Sequence, residues 1–158
     1  MKYYLDTEFI EYPCTIDLIS IGIVSEDNRR LYLISSEFDE SKASDWVKTN
    51  VISKLGDGER FSRAAIKDKI LEFIGTDKPE FWGYYADYDW VCTCWLFGTM
   101  MDLPKGWPMY CNDLKQLCFS LGNPKLPKQS KGEHNALDDA LWNKRIHEWL
   151  WEYSVFGS

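Results

Sequence analysis

A strand-like run near the N-terminus carries two acids in its middle. Residues 2–10 read Lys-Tyr-Tyr-Leu-Asp-Thr-Glu-Phe-Ile, an aromatic and β-branched pattern that is interrupted by Asp6 and Glu8. Residues two apart in a strand point to the same face, so these carboxylates should stand side by side, roughly 7 Å apart at the backbone. Neighbouring carboxylates repel each other unless a cation lies between them, and oxygen ligands suit Mg²⁺ or Mn²⁺. An exposed strand face would explain the pair equally well, so a metal site requires other residues to converge on it.

Length and charge limit the classes of protein to consider. The chain has 158 residues, of which 45% are hydrophobic and 16% aromatic, enough for a substantial core, and we expect one domain over residues 1–158. With 25 acidic and 18 basic side chains the net charge is −7, which argues against a protein that coats nucleic acid with a general basic surface. A local basic surface remains compatible with this charge.

The cysteines and the apolar runs predict a cytoplasmic protein. Five cysteines occur without a Cys-x-x-Cys spacing, and the two histidines are too few to complete a zinc site, so reduced and mostly buried thiols are expected. The N-terminus enters the strand pattern without an apolar signal region, and no uncharged run approaches the ~18 residues of a membrane span. No membrane partner is expected.

The order of the apolar runs predicts the fold class. Residues 17–24 and 30–34 are rich in β-branched residues and flank a polar turn, so the first three strands should form an antiparallel meander. Downstream, helices and strands alternate: helices are expected over 44–51, from Ser62 to Gly75, and over 88–100, 114–121 and 136–153, with strands over 80–85 and 109–111. This order implies an α/β domain whose mixed sheet, an antiparallel meander plus parallel strands, is flanked by helices.

Two later segments place acids next to predicted helix starts. In Tyr-Tyr-Ala-Asp-Tyr-Asp-Trp, residues 84–90, Asp87 is suited to cap a helix, and Asp89 projects from its first turn in another direction. His134 precedes the last helix and Asp139 follows about one and a half turns later, so both can face one spot where the helix meets the sheet. Acids at helix starts are also common in ordinary proteins, so neither segment alone establishes a site.

Taken in order, these motifs resemble those of the DEDDh exonucleases, which have an RNase H-like fold. The set runs from Asp6 to Asp139, nearly the whole chain, and as an ordered set it is specific. The related DEDDy group has a tyrosine four residues before the last aspartate, where this chain has Asn135, so the histidine variant is the match. Many members have His-Asn where this chain has Tyr84-Tyr85. That form is similar to small stand-alone 3'-5' exoribonucleases such as RNase T and polyadenylate-specific exoribonuclease AS, and it weakens a proofreading DNA exonuclease interpretation.

The resemblance implies an activity and a set of site residues. The activity is metal-dependent 3'-5' exoribonuclease hydrolysis of single-stranded RNA or 3' overhangs to 5'-mononucleotides, with two Mg²⁺ or Mn²⁺ ions per site. The implied metal ligands, which are also the implied catalytic acids, are Asp6, Glu8, Asp89 and Asp139. His134 matches the general base that takes a proton from the attacking water, since a histidine exchanges protons near neutral pH.

Substrate contacts are expected on both sides of these acids. The resemblance implies contacts from Thr7 and Phe9, with Phe9 stacking on the terminal bases, although strand alternation places Phe9 on the face opposite the carboxylates. Residues 105–131 contain five lysines and one acid, so this segment carries a net charge of +4 and the rest of the chain −11. Lys125, Lys128 and Lys131 lead toward His134 and are expected to guide a phosphate backbone, a solvated loop being the alternative.

Other functions remain open from the sequence. The expected partner is single-stranded nucleic acid, with RNA preferred. A DNA-directed 3'-5' exonuclease would use the same residues, and a catalytically inactive nucleic-acid-binding module would keep only the fold. The complete set of five site residues argues against the inactive module. Relatives of this size often pair, which leaves a homodimer open.

Overall fold

A mixed sheet forms the centre of the molecule. The structure is a computed structural model that describes residues 1–129 and 134–157. Within these residues six strands form one sheet in the order β4-β3-β2-β1-β5-β6. The strands are β1 (Lys2–Tyr12), β2 (Thr15–Ser25), β3 (Arg30–Ser35), β4 (Arg60–Phe61), β5 (Glu80–Gly83) and β6 (Asn112–Asp113). Neighbours are antiparallel from β1 to β3, while β4 pairs parallel to β3, β5 to β1 and β6 to β5. The predicted meander with added parallel strands is confirmed.

Five α-helices are interspersed with the strands after β3 in the described part of the chain. They are α1 (Asp45–Asn50), α2 (Arg63–Ile74), α3 (Asp87–Phe97), α4 (Leu114–Ser120) and α5 (Ala136–Phe156). Ser62 caps α2 by accepting a hydrogen bond from the backbone N–H of Ala65, as its position predicts. No helix within residues 1–129 and 134–157 has the length and apolar character that a membrane span requires.

Several boundaries differ from the sequence-based expectation, and two regions show the reason. Helix α3 ends at Phe97 rather than at residue 100, because Gly98 adopts a φ of 122° that a right-handed helix does not allow. Asp87 does not cap this helix but is its first residue, and Ala86 stands at the cap. The last strand lies at Asn112–Asp113 instead of 109–111, where it pairs with β5.

The helices cover the two faces of the sheet. On one face, α2 and α3 pack against Leu5, Ile21 and Ile23 of the central strands in a large apolar cluster. Helix α5 packs across β1 and β2 and buries Ile146 and Leu150 completely. Since side chains alternate along β1, this two-sided packing gives its odd and even residues different neighbours.

Candidate active site

Three carboxylates from two elements converge at the sheet. Asp6 and Glu8 lie two residues apart in β1, and Asp139 lies in the first turn of α5. Each of the three offers an oxygen, and these oxygens all lie within 4.8 Å of one another. The structure therefore brings the first and last acidic motifs of the sequence together.

A glycine in the middle of β2 allows this convergence. Gly22 pairs with Asp6 across the ladder, and the backbone of Ala136, the first residue of α5, lies directly over it. A Cβ atom at position 22 would overlap the carbonyl group of Ala136, so only glycine lets the helix start this close to the strands. Gly22 was not among the residues singled out from the sequence. A glycine inside an apolar strand run is the signal that could have found it.

Both oxygens of Asp139 already accept hydrogen bonds. The backbone N–H of His134 donates to Oδ2 at 3.0 Å, and the side-chain amide of Gln129 donates to Oδ1 at 2.7 Å. The side chain of Asn135 caps α5 by accepting from the backbone N–H groups of Leu137 and Asp138. These contacts fix the start of α5 and the orientation of its carboxylate.

The fourth acid is held by the strand residue between the first two. Asp89 is 6% exposed, and its Oδ1 accepts from the backbone N–H of Thr7 at 2.8 Å and from the Thr7 hydroxyl at 2.5 Å. Thr7 itself is 5% exposed, so its hydroxyl is engaged with Asp89. A substrate contact by Thr7 stays a prediction, whereas its role in placing Asp89 is direct.

Burial and mutual repulsion make this group of acids unfavourable in its charged form. The pKa of Glu8 is raised to about 8 by burial and by the charges of Asp139 and Asp89. The pKa of Asp6 is raised well above its usual range by burial and then by its three acidic neighbours. Burial also raises the pKa of Asp89, to about 6, against the hydrogen bonds from Thr7. Bound divalent cations would relieve this repulsion, and an all-oxygen donor set fits Mg²⁺ or Mn²⁺.

His134 lies at the rim of a groove beside the acids. It has a φ of 69°, the left-handed region, and Trp46 of α1 meets its ring edge-on with centroids 4.8 Å apart. His134 and Asp139 line a groove of about 690 Å³, together with Lys128 and Gln129 and with the apolar residues Tyr84, Leu126, Pro127 and Trp142. Trp46 was not predicted from the sequence, because only the fold brings α1 next to the start of α5.

The predicted substrate-binding residues differ in their positions. A bulge in the β1–β2 ladder lies between Glu8 and Phe9. The ring centroid of Phe9 lies 5.7 Å from that of the half-exposed Tyr88. Lys125 and Lys128 are exposed, and Lys128 lines the groove with His134. Lys131 lies outside the described residues. The contacts of these residues with nucleic acid stay predictions.

Sequence comparison identifies the family. A family model described as the 3'-5' exoribonuclease Rv2179c-like domain matches residues 1–151. Proteins named 3'-5' exoribonuclease Rv2179c and 3'-5' exoribonuclease MT2234.1, from two strains of Mycobacterium tuberculosis, are each 42% identical over 146 residues, covering 89% of this chain and 87% of theirs. The chain belongs to the Rv2179c-like 3'-5' exoribonuclease family. The predicted exonuclease resemblance is thereby confirmed.

Structure comparison gives the same fold at low sequence identity. A Mg²⁺- and Mn²⁺-bound structure of S. pombe Pop2p superimposes with a TM-score of 0.56 at 14% identity, covering 99% of this chain and 85% of Pop2p. A zinc-bound complex of E. coli ExoI with single-stranded DNA gives a TM-score of 0.67 at 12% identity, covering 98% of this chain and 40% of ExoI. The RNase H-like fold that the family resemblance implied is confirmed.

Proposed function

We propose that this chain, as one domain over residues 1–158, is a metal-dependent 3'-5' exoribonuclease that acts on single-stranded RNA or 3' overhangs. The observation that carries the proposal is the convergence of Asp6, Glu8 and Asp139, whose oxygens lie within 4.8 Å of one another. A partly buried group of acids with raised pKa values is costly for a protein that uses it only for structure. Membership of the Rv2179c-like family supports RNA as the substrate and the 3' end as the starting point.

The four acids are proposed to hold two divalent cations, Mg²⁺ or Mn²⁺. Besides burial, the charges of Asp89, Asp139 and Glu8 all raise the pKa of Asp6, so Asp6 is within electrostatic reach of the other three acids and would share in holding the ions. When bound, such ions activate water and neutralise charge on a phosphodiester group. The residues around the acids keep them in place: Thr7 holds Asp89, and Gln129 and the backbone of His134 hold Asp139.

His134 is proposed to act as the general base. It lines the groove together with Asp139, and an imidazole nitrogen is a base that can accept a proton from water. Because its backbone N–H is bonded to Asp139, the histidine is fixed relative to the acids without using its side chain. The ring is thus left available for the proton transfer.

The groove is proposed to receive the 3' end of the strand. Lys128 at its rim offers a cation to phosphate, and Tyr84 and Trp142, whose ring centroids are 5.1 Å apart, offer aromatic surface to bases. The proposal includes base stacking by Phe9 and phosphate contacts by Lys125 and Lys131.

A DNA-directed exonuclease is the second candidate. The observation that favours it is the superposition on E. coli ExoI, which has been solved with single-stranded DNA. The RNA assignment is preferred because the family model and the 42% identical relatives are named as exoribonucleases.

Labelled oligonucleotides separate these candidates. Single-stranded RNA and DNA of one sequence, labelled at either end, are incubated with the protein in Mg²⁺, in Mn²⁺ or in EDTA. We expect 3'-labelled RNA to release labelled mononucleotide at once and 5'-labelled RNA to shorten stepwise, in the metal-containing reactions only. Faster digestion of DNA would favour the second candidate. Digestion that persists in EDTA, or that starts at the 5' end, would contradict the proposal.

A further inference from the structure

Gln129 joins the connection before α5 directly to one of the proposed metal ligands. Its side-chain Nε2 donates to Oδ1 of Asp139 at 2.7 Å, while the backbone N–H of His134 donates to Oδ2. Gln129 and His134 both belong to the connection between α4 and α5. One carboxylate of the acid group is therefore held by two donors from this connection, one on each oxygen.

Helix α5 supplies both the carboxylate and the support for Gln129. Trp142 lies three residues after Asp139, so the two side chains occupy neighbouring positions on the helix surface. The indole N–H of Trp142 donates to the backbone carbonyl of Pro127 at 3.0 Å, and the Tyr84 ring packs against the same indole. Residues 126–129 are thus attached to α5 at Pro127 and at Gln129, and Lys128 lies between these attachment points.

The chemistry of a glutamine suits this position. A neutral amide donates a hydrogen bond without adding to the negative charge of the acid group, and it does not compete with a bound cation as a lysine would. An ionised carboxylate accepts about four hydrogen bonds or ligand contacts, so two donors leave lone pairs for a metal ion. Partners of this kind orient a metal-binding carboxylate, and their loss typically weakens metal binding about 10- to 100-fold.

We propose that Gln129 is a positioning residue that orients Asp139 for metal binding and couples that binding to the binding of RNA at Lys128. This inference rests on the proposed function. RNA that contacts Lys128 stabilises residues 126–129, which keeps Gln129 on Asp139 and strengthens metal binding. Thermodynamic linkage then requires that bound metal strengthens RNA binding by the same factor.

Binding measurements on Gln129 variants test the proposal without relying on catalysis. Mn²⁺ affinity is measured by titration calorimetry for the parent, Gln129→Ala and Gln129→Glu, each without RNA and with a phosphorothioate RNA that resists cleavage. Gln116→Ala is the matched control, because Gln116 is the other glutamine of α4 and its connection to α5 and lies away from the groove. Circular dichroism and thermal unfolding in EDTA verify that each variant is folded.

We expect Gln129→Ala to bind Mn²⁺ about 10- to 100-fold more weakly than the parent. RNA should increase the Mn²⁺ affinity of the parent and should do so much less in this variant. Gln129→Glu should lower the stability of the metal-free protein in EDTA more than Gln129→Ala does, because it adds a fifth carboxylate to the group. The control should match the parent.

Two outcomes would overturn the proposal. If Gln129→Ala binds Mn²⁺ within twofold of the parent, Gln129 does not position Asp139. If Mn²⁺ affinity falls but RNA increases it equally in parent and variant, the coupling is absent. A parent that binds no Mn²⁺ and leaves RNA intact would instead refute the proposed function, so the two failures are distinguishable.

Discussion

At the residue scale, a single strand fixes three of the four acids through its alternation. Asp6 and Glu8 point to the side where α5 brings Asp139, whereas Thr7 points the other way and holds Asp89 through two hydrogen bonds. Asp6 and Glu8 are themselves carboxylates of the site, and Thr7 positions Asp89 from the opposite face of the strand. A substitution at any of these three consecutive residues therefore removes or displaces a carboxylate. Substitutions of Asp6 and of His134 test the metal-holding role and the proton-accepting role separately.

Asp6→Asn is expected to nearly abolish RNA hydrolysis and to weaken metal binding. Asparagine keeps the shape of the side chain but removes the negative charge that a cation requires. The fold should be retained, and the metal-free protein should be slightly more stable, because one of several repelling carboxylates is gone. Release of mononucleotides, Mn²⁺ calorimetry and thermal unfolding in EDTA measure these three effects. Hydrolysis at the parental rate would mean that Asp6 is not a metal ligand.

His134→Ala is expected to lower turnover by a factor on the order of 10² to 10⁴, the usual contribution of a positioned general base. Metal affinity should change little, because the contact between residue 134 and Asp139 is made by the backbone. The measurements are single-turnover rates at saturating RNA and Mn²⁺ calorimetry. Lower thermal stability with undiminished turnover would assign His134 a structural role, through its contact with Trp46.

At the element scale, the sequence predicts the positions of the strands and helices well, but it does not predict how closely these elements approach one another. The 3.6-residue repeat of α2 and the apolar runs of β2 and β3 follow from local preference and burial, so their positions are confirmed within a few residues. The bulge after Glu8 and the contact of α5 with Gly22 depend on tertiary packing. The acids could be named from their order in the chain, whereas Gln129 and Trp46 could not, since only the folded chain places them at the site.

Gly22→Ala tests the close approach of β2 and α5. The added methyl group would overlap the backbone of Ala136, so the start of α5 must shift away from the strands. We expect a loss of unfolding free energy of about 1 to 3 kcal/mol, typical of overpacking, and a larger loss of activity, because Asp139 moves with the helix. Urea unfolding and RNA hydrolysis are the measurements.

Gly106→Ala is the control for the Gly22 variant. Gly106 has a φ of 93° and open space around it, so the substitution costs backbone strain only. It should lower stability and leave hydrolysis unchanged. If both variants lose stability but retain activity, the approach of α5 to Gly22 does not set the geometry of the acids.

At the scale of the whole molecule, charge is distributed unevenly. The chain carries −7 in total, yet the segment from residue 105 to 131 carries +4. Lys125 and Lys128 are exposed in this segment, and Lys128 borders the groove beside the acids. An acidic surface elsewhere should repel nucleic acid, so local lysines would direct a strand toward the groove.

Replacement of Lys125, Lys128 and Lys131 by glutamine is expected to weaken RNA binding regardless of sequence. Each lost phosphate contact should flatten the dependence of log affinity on log salt by nearly one unit. Turnover at saturating RNA should change much less, because these residues position the strand. The measurement is RNA binding at several salt concentrations, with Ca²⁺ to suppress cleavage. An unchanged slope would mean that the lysines are only solvated.

The acids also determine how the stability of the metal-free molecule depends on pH. A carboxyl group whose pKa is raised by folding binds more protons in the folded than in the unfolded state, so its contribution to stability is lost as pH rises toward the raised value. The pKa of Glu8 is raised from 4.5 to about 8, so this loss extends up to pH 8. His147 acts in the opposite direction, because burial lowers its pKa from 6.5 to about 4, but only below pH 6.5.

Between pH 6.5 and 8 the acids therefore dominate, and the metal-free protein should become less stable as pH rises. Urea unfolding in EDTA at both pH values measures this change. Glu8→Gln should reduce it, because glutamine does not titrate, while His147→Gln should leave it unaltered in this window. Mn²⁺ should restore the stability of the parent at pH 8, since a ligand that binds only the folded state stabilises that state. Equal pH dependence in the parent and in Glu8→Gln would show that Glu8 is already ionised, and that the acids are less strongly coupled than their burial and separation indicate.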